Sequence, residues 1–272
     1  MALTVQFSKK SVKSDTVIVF ANDKGKLLPQ GVALDKKAGG LIAAALSTRE
    51  SFKGKAGDTM AVFLPKEAGY AQALVIGIGD GKAERLTLEN AGGKATAALK
   101  TLSAKNVTVL MDVAGGEAAA SFAYGLSLRD YSFDKYKSKP KGKKDAKDSK
   151  ISVTVVTDGD KDAASSYGEQ KALADSVFFA RDLVNEPANV LYPESYAAII
   201  AKELKPLGVE VEILDDKKMT KLGFGAHLAV GMGSIRPPRV VIMRWNGGGK
   251  KTAKAPIAFV GKGVTFDTGG VF

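Results

Sequence analysis

Apolar residues along this chain fall into two rhythms. Short, β-branched runs bounded by glycine or charge alternate with longer stretches whose apolar positions recur at helical spacing, and that alternation predicts an α/β layer fold. Thr16-Val17-Ile18-Val19-Phe20 is apolar without interruption after its first residue, as a strand buried on both faces requires. Residues 59–63, 72–78 and 107–113 predict further strands, with helices over 39–46, 87–102 and 117–128. Strand character resumes at Ile151-Ser152-Val153-Thr154-Val155-Val156.

Beyond that strand the pattern lengthens. A long helix is predicted over 164–184, where Ala172, Val177, Phe178, Ala180 and Val184 share a broad face. Pro193 followed by Glu194 opens another helix that runs through Leu204. Strands are predicted over 209–213, 240–245 and 257–260, with Gly247-Gly248-Gly249 turning the chain between the last two. This organisation implies an N-terminal α/β domain over 1–165 with a mixed sheet and flanking helices, then a second α/β domain over 166–272. No internal repeat is visible.

Composition narrows the classes. With 45% hydrophobic and 25% charged residues the chain has the make-up of a soluble globular protein. No apolar stretch approaches the roughly 18 residues that a membrane span needs. The start, Met1-Ala2-Leu3-Thr4-Val5-Gln6-Phe7-Ser8-Lys9-Lys10, is a short alternating run with its lysines after it, so an export signal is not expected and a cytoplasmic location is. The absence of cysteine excludes disulfides, thiolate zinc sites and a cysteine nucleophile. Any metal must use Lys, His, Asp or Glu.

Net charge is +11, and its location matters more than its size. Residues 135–150 hold eight lysines against Asp145 and Asp148. Without apolar periodicity this segment reads as a solvated loop, an excursion within the first domain. The competing reading is a phosphate-contacting patch, a nucleic-acid contact through Lys137, Lys139, Lys143 and Lys144.

Chemistry concentrates at the far end of the sequence. In 256–270, a predicted strand delivers Lys262 and Asp267 into a glycine-flanked loop, where close backbone approach is cheap. Spacing alone leaves a phosphate-binding turn or a plain surface turn equally open. Gly77-Ile78-Gly79-Asp80-Gly81-Lys82 has neither dinucleotide-loop nor P-loop spacing and reads as a strand-to-helix turn. His227, the one histidine, is flanked by apolar residues and reads as a packed side chain rather than a ligand. Asn185, Glu186, Pro187 and Asn189 read as a helix stop and loop, with contact to a substrate as the competing reading.

Taken as a whole run, Val260-Gly261-Lys262-Gly263-Val264-Thr265-Phe266-Asp267-Thr268-Gly269-Gly270 resembles the metal-binding signature of the cytosolic leucyl aminopeptidases. Residues 180–196, Ala-Arg-Asp-Leu-Val-Asn-Glu-Pro-Ala-Asn-Val-Leu-Tyr-Pro-Glu-Ser-Tyr, are similar to that family's entry into its catalytic domain, and 131–137 to a segment near the end of its N-terminal domain. The resemblance implies a macro-domain-like first domain and the beginning of an aminopeptidase catalytic domain. It also implies a cytoplasmic homo-hexamer that removes N-terminal amino acids, leucine preferred, from peptides in protein turnover. Two divalent ions, manganese or zinc, would be held in part by Lys262 on one metal and Asp267 bridging both. Lysine can serve only as the neutral amine, which neighbouring dications favour. In the family a catalytic lysine follows the two glycines, and further Asp and Glu ligands and an arginine come later. The sequence here stops at Phe272. The expectation is therefore that the 272-residue polypeptide is inactive by itself, and that its second domain is unstable alone.

Overall fold

The computed structural model describes residues 3–48, 50–80, 82–138, 150–248 and 256–265. Two compact units divide the chain, Met1–Arg181 and Asp182–Phe272.

The first unit is built on a six-stranded sheet. Its strands are β1 (Leu3–Ser8), β2 (Thr16–Ala21), β3 (Thr59–Phe63), β4 (Gln72–Gly77), β5 (Asn106–Leu110) and β6 (Ile151–Val156). Their order across the sheet is β1-β6-β5-β2-β4-β3, and all neighbouring pairs are parallel except β3 with β4. Every residue of the central β2 is buried, as expected for a strand covered on both faces.

The period of two along β2 divides its side chains between two cores. Ile18 and Phe20 face a core with Leu74, Ile76, Val109 and Val155. It is covered by α3 (Arg85–Thr101) and α4 (Gly116–Arg129), which contribute Leu88, Leu99, Phe122 and Leu126. Val17 and Val19 face the other core, with Met60, Val62 and Val75. There the cover is α1 (Pro29–Lys37) and α2 (Leu41–Thr48), through Leu34, Ile42 and Leu46.

Two elements of this unit go beyond the sequence reading. The short alternating run at the start forms edge strand β1, in register with β6 so that Val5 pairs with Val153. Helix α1 was hidden by its small number of apolar residues; only Gly31 and Leu34 are buried along it. The predicted strand over 107–113 ends at Leu110 because Asp112 turns away to accept from Gln30 N at 2.8 Å. Helix α5 runs Asp160–Asn185, longer than predicted, with Asp160 and Asp162 in its first turn where a helix favours negative charge. Both the residue-165 boundary read from sequence and the division between the compact units fall inside this helix.

In the second unit, α6 (Pro193–Leu204) precedes an antiparallel pair, β7 (Glu210–Leu214) and β8 (Val240–Arg244), with Glu212 opposite Ile242. Two short helices, α7 (Asp216–Lys221) and α8 (Gly225–Val230), lie between the strands. The strand predicted over 257–260 does not form. Ile257, Phe259 and Val260 are 83%, 94% and 99% exposed, and no strand pairs with them among the described residues. Apolar patterning identifies a segment fit to be a strand; the ladder itself needs a neighbour.

Candidate functional site

The segment that carries Lys262 passes the start of α6. That helix begins with Pro193 at its first position, where a missing N–H costs nothing. Ser195 fixes the entry: its Oγ accepts from Tyr192 N at 3.0 Å and lies 2.8 Å from Val190 O. Leu191 and Ala197 are buried on either side of this turn. Asn185 ends α5, and Val190 N and Leu191 N both bond to Pro187 O at 2.9 Å. The Asn-Glu-Pro-Ala-Asn run is thus a helix stop and turn, as read from sequence.

Two tyrosines stand four residues apart at this entry, Tyr192 at the N-cap and Tyr196 in the first turn of α6. The Arg236 guanidinium stacks over the Tyr192 ring, 3.9 Å from its centroid, a cation–π contact. Tyr196, half-buried, faces Gly263: a Cβ built there would lie 3.3 Å from Tyr196 Cε1. The glycine after Lys262 therefore sits beside an aromatic ring, an approach that a side chain would crowd. Neither Tyr196 nor Arg236 was singled out from sequence. Their one signal was an aromatic pair at helical spacing, which more often marks a core.

Lys262 itself is exposed and makes no hydrogen bond or ion pair among the described residues. Asp267 lies outside the described residues, so its distance from Lys262 is not part of the geometry. No group of three or more His, Cys, Asp or Glu side chains comes together among the described residues. The donor chemistry of the run, an amine and a carboxylate, suits a divalent ion. Their number does not complete a shell, since one catalytic zinc usually takes about three protein ligands.

The remaining candidates resolve differently. His227 is exposed on α8, not packed, because α8 buries no residue at all. In the lysine-rich segment, Lys137 is committed to Asp134, and Lys135 Nζ sits 5.5 Å over the Tyr136 ring. Hydrogen bonds from Lys137 and then Ser132 hold the Asp134 carboxyl below its usual range. Lys139, Lys143 and Lys144 lie outside the described residues. Gly79 and Asp80 form the turn between β4 and α3, as predicted, and no described helix is long and apolar enough to cross a membrane.

Comparison with known proteins agrees with the order of these features. The profile of the cytosol aminopeptidase family N-terminal domain matches residues 17–140, and that of the family's catalytic domain matches 178–272. A protein of Agrobacterium fabrum named "Probable cytosol aminopeptidase" is 42% identical over 98% of this chain and 54% of its own length. One of the same name from a Chelativorans species is 44% identical, with the same coverage. The chain spans about half the length of the curated relatives it matches. Among solved structures, a tomato leucine aminopeptidase mutant superposes with a TM-score of 0.78 over 98% of this chain and 55% of that one. At 24% identity that likeness is one of fold. The bottromycin maturation enzyme BotP in complex with Mn reaches 0.63 at 25% identity, over 86% of this chain and 45% of its own. Two domain profiles of a single family, in order and over most of the sequence, together with relatives alike along nearly its whole length, establish that the chain belongs to the cytosol aminopeptidase family.

Proposed function

We propose that these residues serve a metal-dependent aminopeptidase, one that releases N-terminal amino acids from peptides with leucine-like residues preferred. The observation that carries the reading is the catalytic-domain match over 178–272, which includes both Lys262 and Asp267. The exposed Lys262 amine, without a competing partner among the described residues, supports it. In this reading Lys262 would contribute an amine and Asp267 a carboxylate to holding two divalent ions, manganese or zinc. The solved relative in complex with Mn is consistent with manganese. To act as a donor, Lys262 Nζ must give up its proton, which nearby positive charge and loss of solvent both favour. Asp267 contributes anionic oxygen suited to a hard cation. The ions, when bound, supply Lewis acidity and an activated water. The active form is a cytoplasmic homo-hexamer acting in protein turnover, and the peptide is the substrate.

The natural gene product, tagged and purified from its own cells, provides the test. Hydrolysis of a leucyl-anilide should depend on added Mn2+ or Zn2+, stop on chelation, and fall in Lys262→Ala and Asp267→Asn by more than the roughly 10–100-fold that loss of a ligand's outer-shell partner costs. Absence of hydrolysis with either ion would overturn the reading, as would full activity in both variants.

A further inference from the structure

We propose that Tyr196 is a positioning residue for Lys262: its ring edge, set by the capped start of α6, is the wall against which the backbone at Gly263, the residue after Lys262, rests. The inference rests on the reading of Lys262 as a metal ligand, and adds the device that holds it. Three observations converge. The segment 256–265 has no strand partner among the described residues, so a sheet does not locate it. At Gly263 a would-be Cβ would lie 3.3 Å from Tyr196 Cε1, the one atom within 4 Å of it among the described residues beyond its chain neighbours. Gly261, by contrast, has no such atom within 4 Å among the described residues, so of the two glycines flanking Lys262 it is the second whose Cβ position a neighbour crowds.

The ring is itself well fixed. Tyr196 lies in the first turn of α6, its backbone N–H bonded to Tyr192 O at 2.8 Å. The adjacent Ser195 closes the turn through its bonds to Tyr192 and Val190. Tyr192 is stacked under Arg236, and Ala197 is 2% exposed beneath the helix. A ligand with four rotatable side-chain bonds loses entropy when it is held, and a backbone already seated loses less on binding. Contact is through the ring carbon and not the hydroxyl, so phenylalanine should replace tyrosine where leucine does not.

Glycine-selective and aromatic-selective isotope labelling of this 272-residue chain tests the contact without any metal. Nuclear Overhauser contacts between the Tyr196 ring protons and the Gly263 α-protons should be present. The Gly263 α-protons should be displaced by the ring current. In Tyr196→Phe the contacts and displacement should persist; in Tyr196→Leu both should vanish and the Gly261 and Gly263 amide shifts should move to random-coil positions. Should Tyr196→Leu fail to fold, Gly263→Ala provides the second arm, and it should shift the Tyr196 ring resonances while leaving those of Tyr167 unchanged. The proposal is overturned if wild type lacks the ring-to-glycine contact, if Tyr196→Leu leaves the Gly261 and Gly263 shifts unchanged, or if Tyr196→Phe loses as much as Tyr196→Leu. None of these outcomes bears on whether Lys262 binds metal, so this inference and the functional reading fail separately.

Discussion

The backbone N–H of Leu3 donates to Asp130 Oδ2 at 2.9 Å, a buried bond between residues 127 positions apart. Asp130 sits at the C-terminal cap of α4, and its side chain is 1% exposed. Lys100 Nζ, from α3, lies 3.0 Å from the other oxygen, an electrostatic contact without hydrogen-bond alignment. One carboxylate thus ties the edge strand to two helices. Asp130→Ala would leave the Leu3 N–H without this acceptor and Lys100 without this counter-charge. We expect a loss of about 2–4 kcal/mol in urea unfolding. Asp130→Asn, which keeps an acceptor in the same place, should lose clearly less.

Helices α3 and α4 approach closely through two glycines. A Cβ at Gly92 would fall 2.1 Å from Phe122 O, and one at Gly125 would fall 1.9 Å from Glu89 O. These neighbours are backbone atoms of the opposite helix and cannot rotate aside. Overpacking typically costs about 1–3 kcal/mol where a core can adjust. Gly125→Ala should reach or pass the upper end of that range, because the helices must separate. Gly93→Ala, whose nearest neighbours are at 3.9 Å, should be neutral or slightly stabilising through helix propensity. Thermal melts of the three proteins would show the ranking, and equal midpoints would refute the crossing argument.

Much of this architecture was legible because burial has a period. The unbroken apolar run of β2 announced a central strand, and the same register of in and out positions returns along β4. Helix α3 was visible in the same way. What escaped has a physical cause in each case. Helix α1 buries only Gly31 and Leu34, too few to mark a stripe. Its start is stabilised from afar by Asp112, and a partner so distant in sequence leaves no local mark. Residues 257–260 have the composition of a strand, but pairing is a property of two segments. At the candidate site, Lys262 and Asp267 were picked out by the resemblance of residues 260–270 to a family signature, whereas the nearness of Tyr196 to Gly263 depends on how α6 is placed.

Asp112 makes stability depend on pH in a direction opposite to most carboxylates. Its Oδ1 accepts from Gln30 N at the start of α1, and its Oδ2 is buried with no partner among the described residues. Burial pushes its pKa above the ordinary 3.8, outweighing the Gln30 bond that lowers it. The folded state therefore holds the proton more tightly than the unfolded one. Between about 3.8 and the raised folded value, stability falls as pH rises, and the penalty is complete above that window. Asp134 and Asp215, whose pKa values are lowered mainly by hydrogen bonds from Lys137 and from Lys218 N, act the other way. Their contribution is present above 3.8 and is lost as pH falls through their folded values. Asp112→Asn should remove the upper-window decline, so its stability relative to wild type should grow with pH from about 4 and then level off. Urea unfolding at half-unit steps of pH would reveal this, and a flat difference would show that Asp112 does not titrate there.

The 272-residue polypeptide, purified alone, should hydrolyse a leucyl-anilide no faster than buffer does, with Mn2+ or with Zn2+. In the proposed reading Lys262 and Asp267 would supply two donors, where a single catalytic zinc usually uses about three protein ligands. Weak coordination by two donors would also leave water to occupy most of the shell, so equilibrium dialysis should retain less than one ion per chain at micromolar metal. Replacing Lys262 with alanine should change neither result in this polypeptide, although the same change should be severe in an active family member. A rate above the buffer rate that disappears on chelation and in Lys262→Ala would show that these residues assemble a working centre with ligands drawn from outside the described part of the chain. A rate that survives both treatments would point to a contaminating peptidase, which repurification would remove.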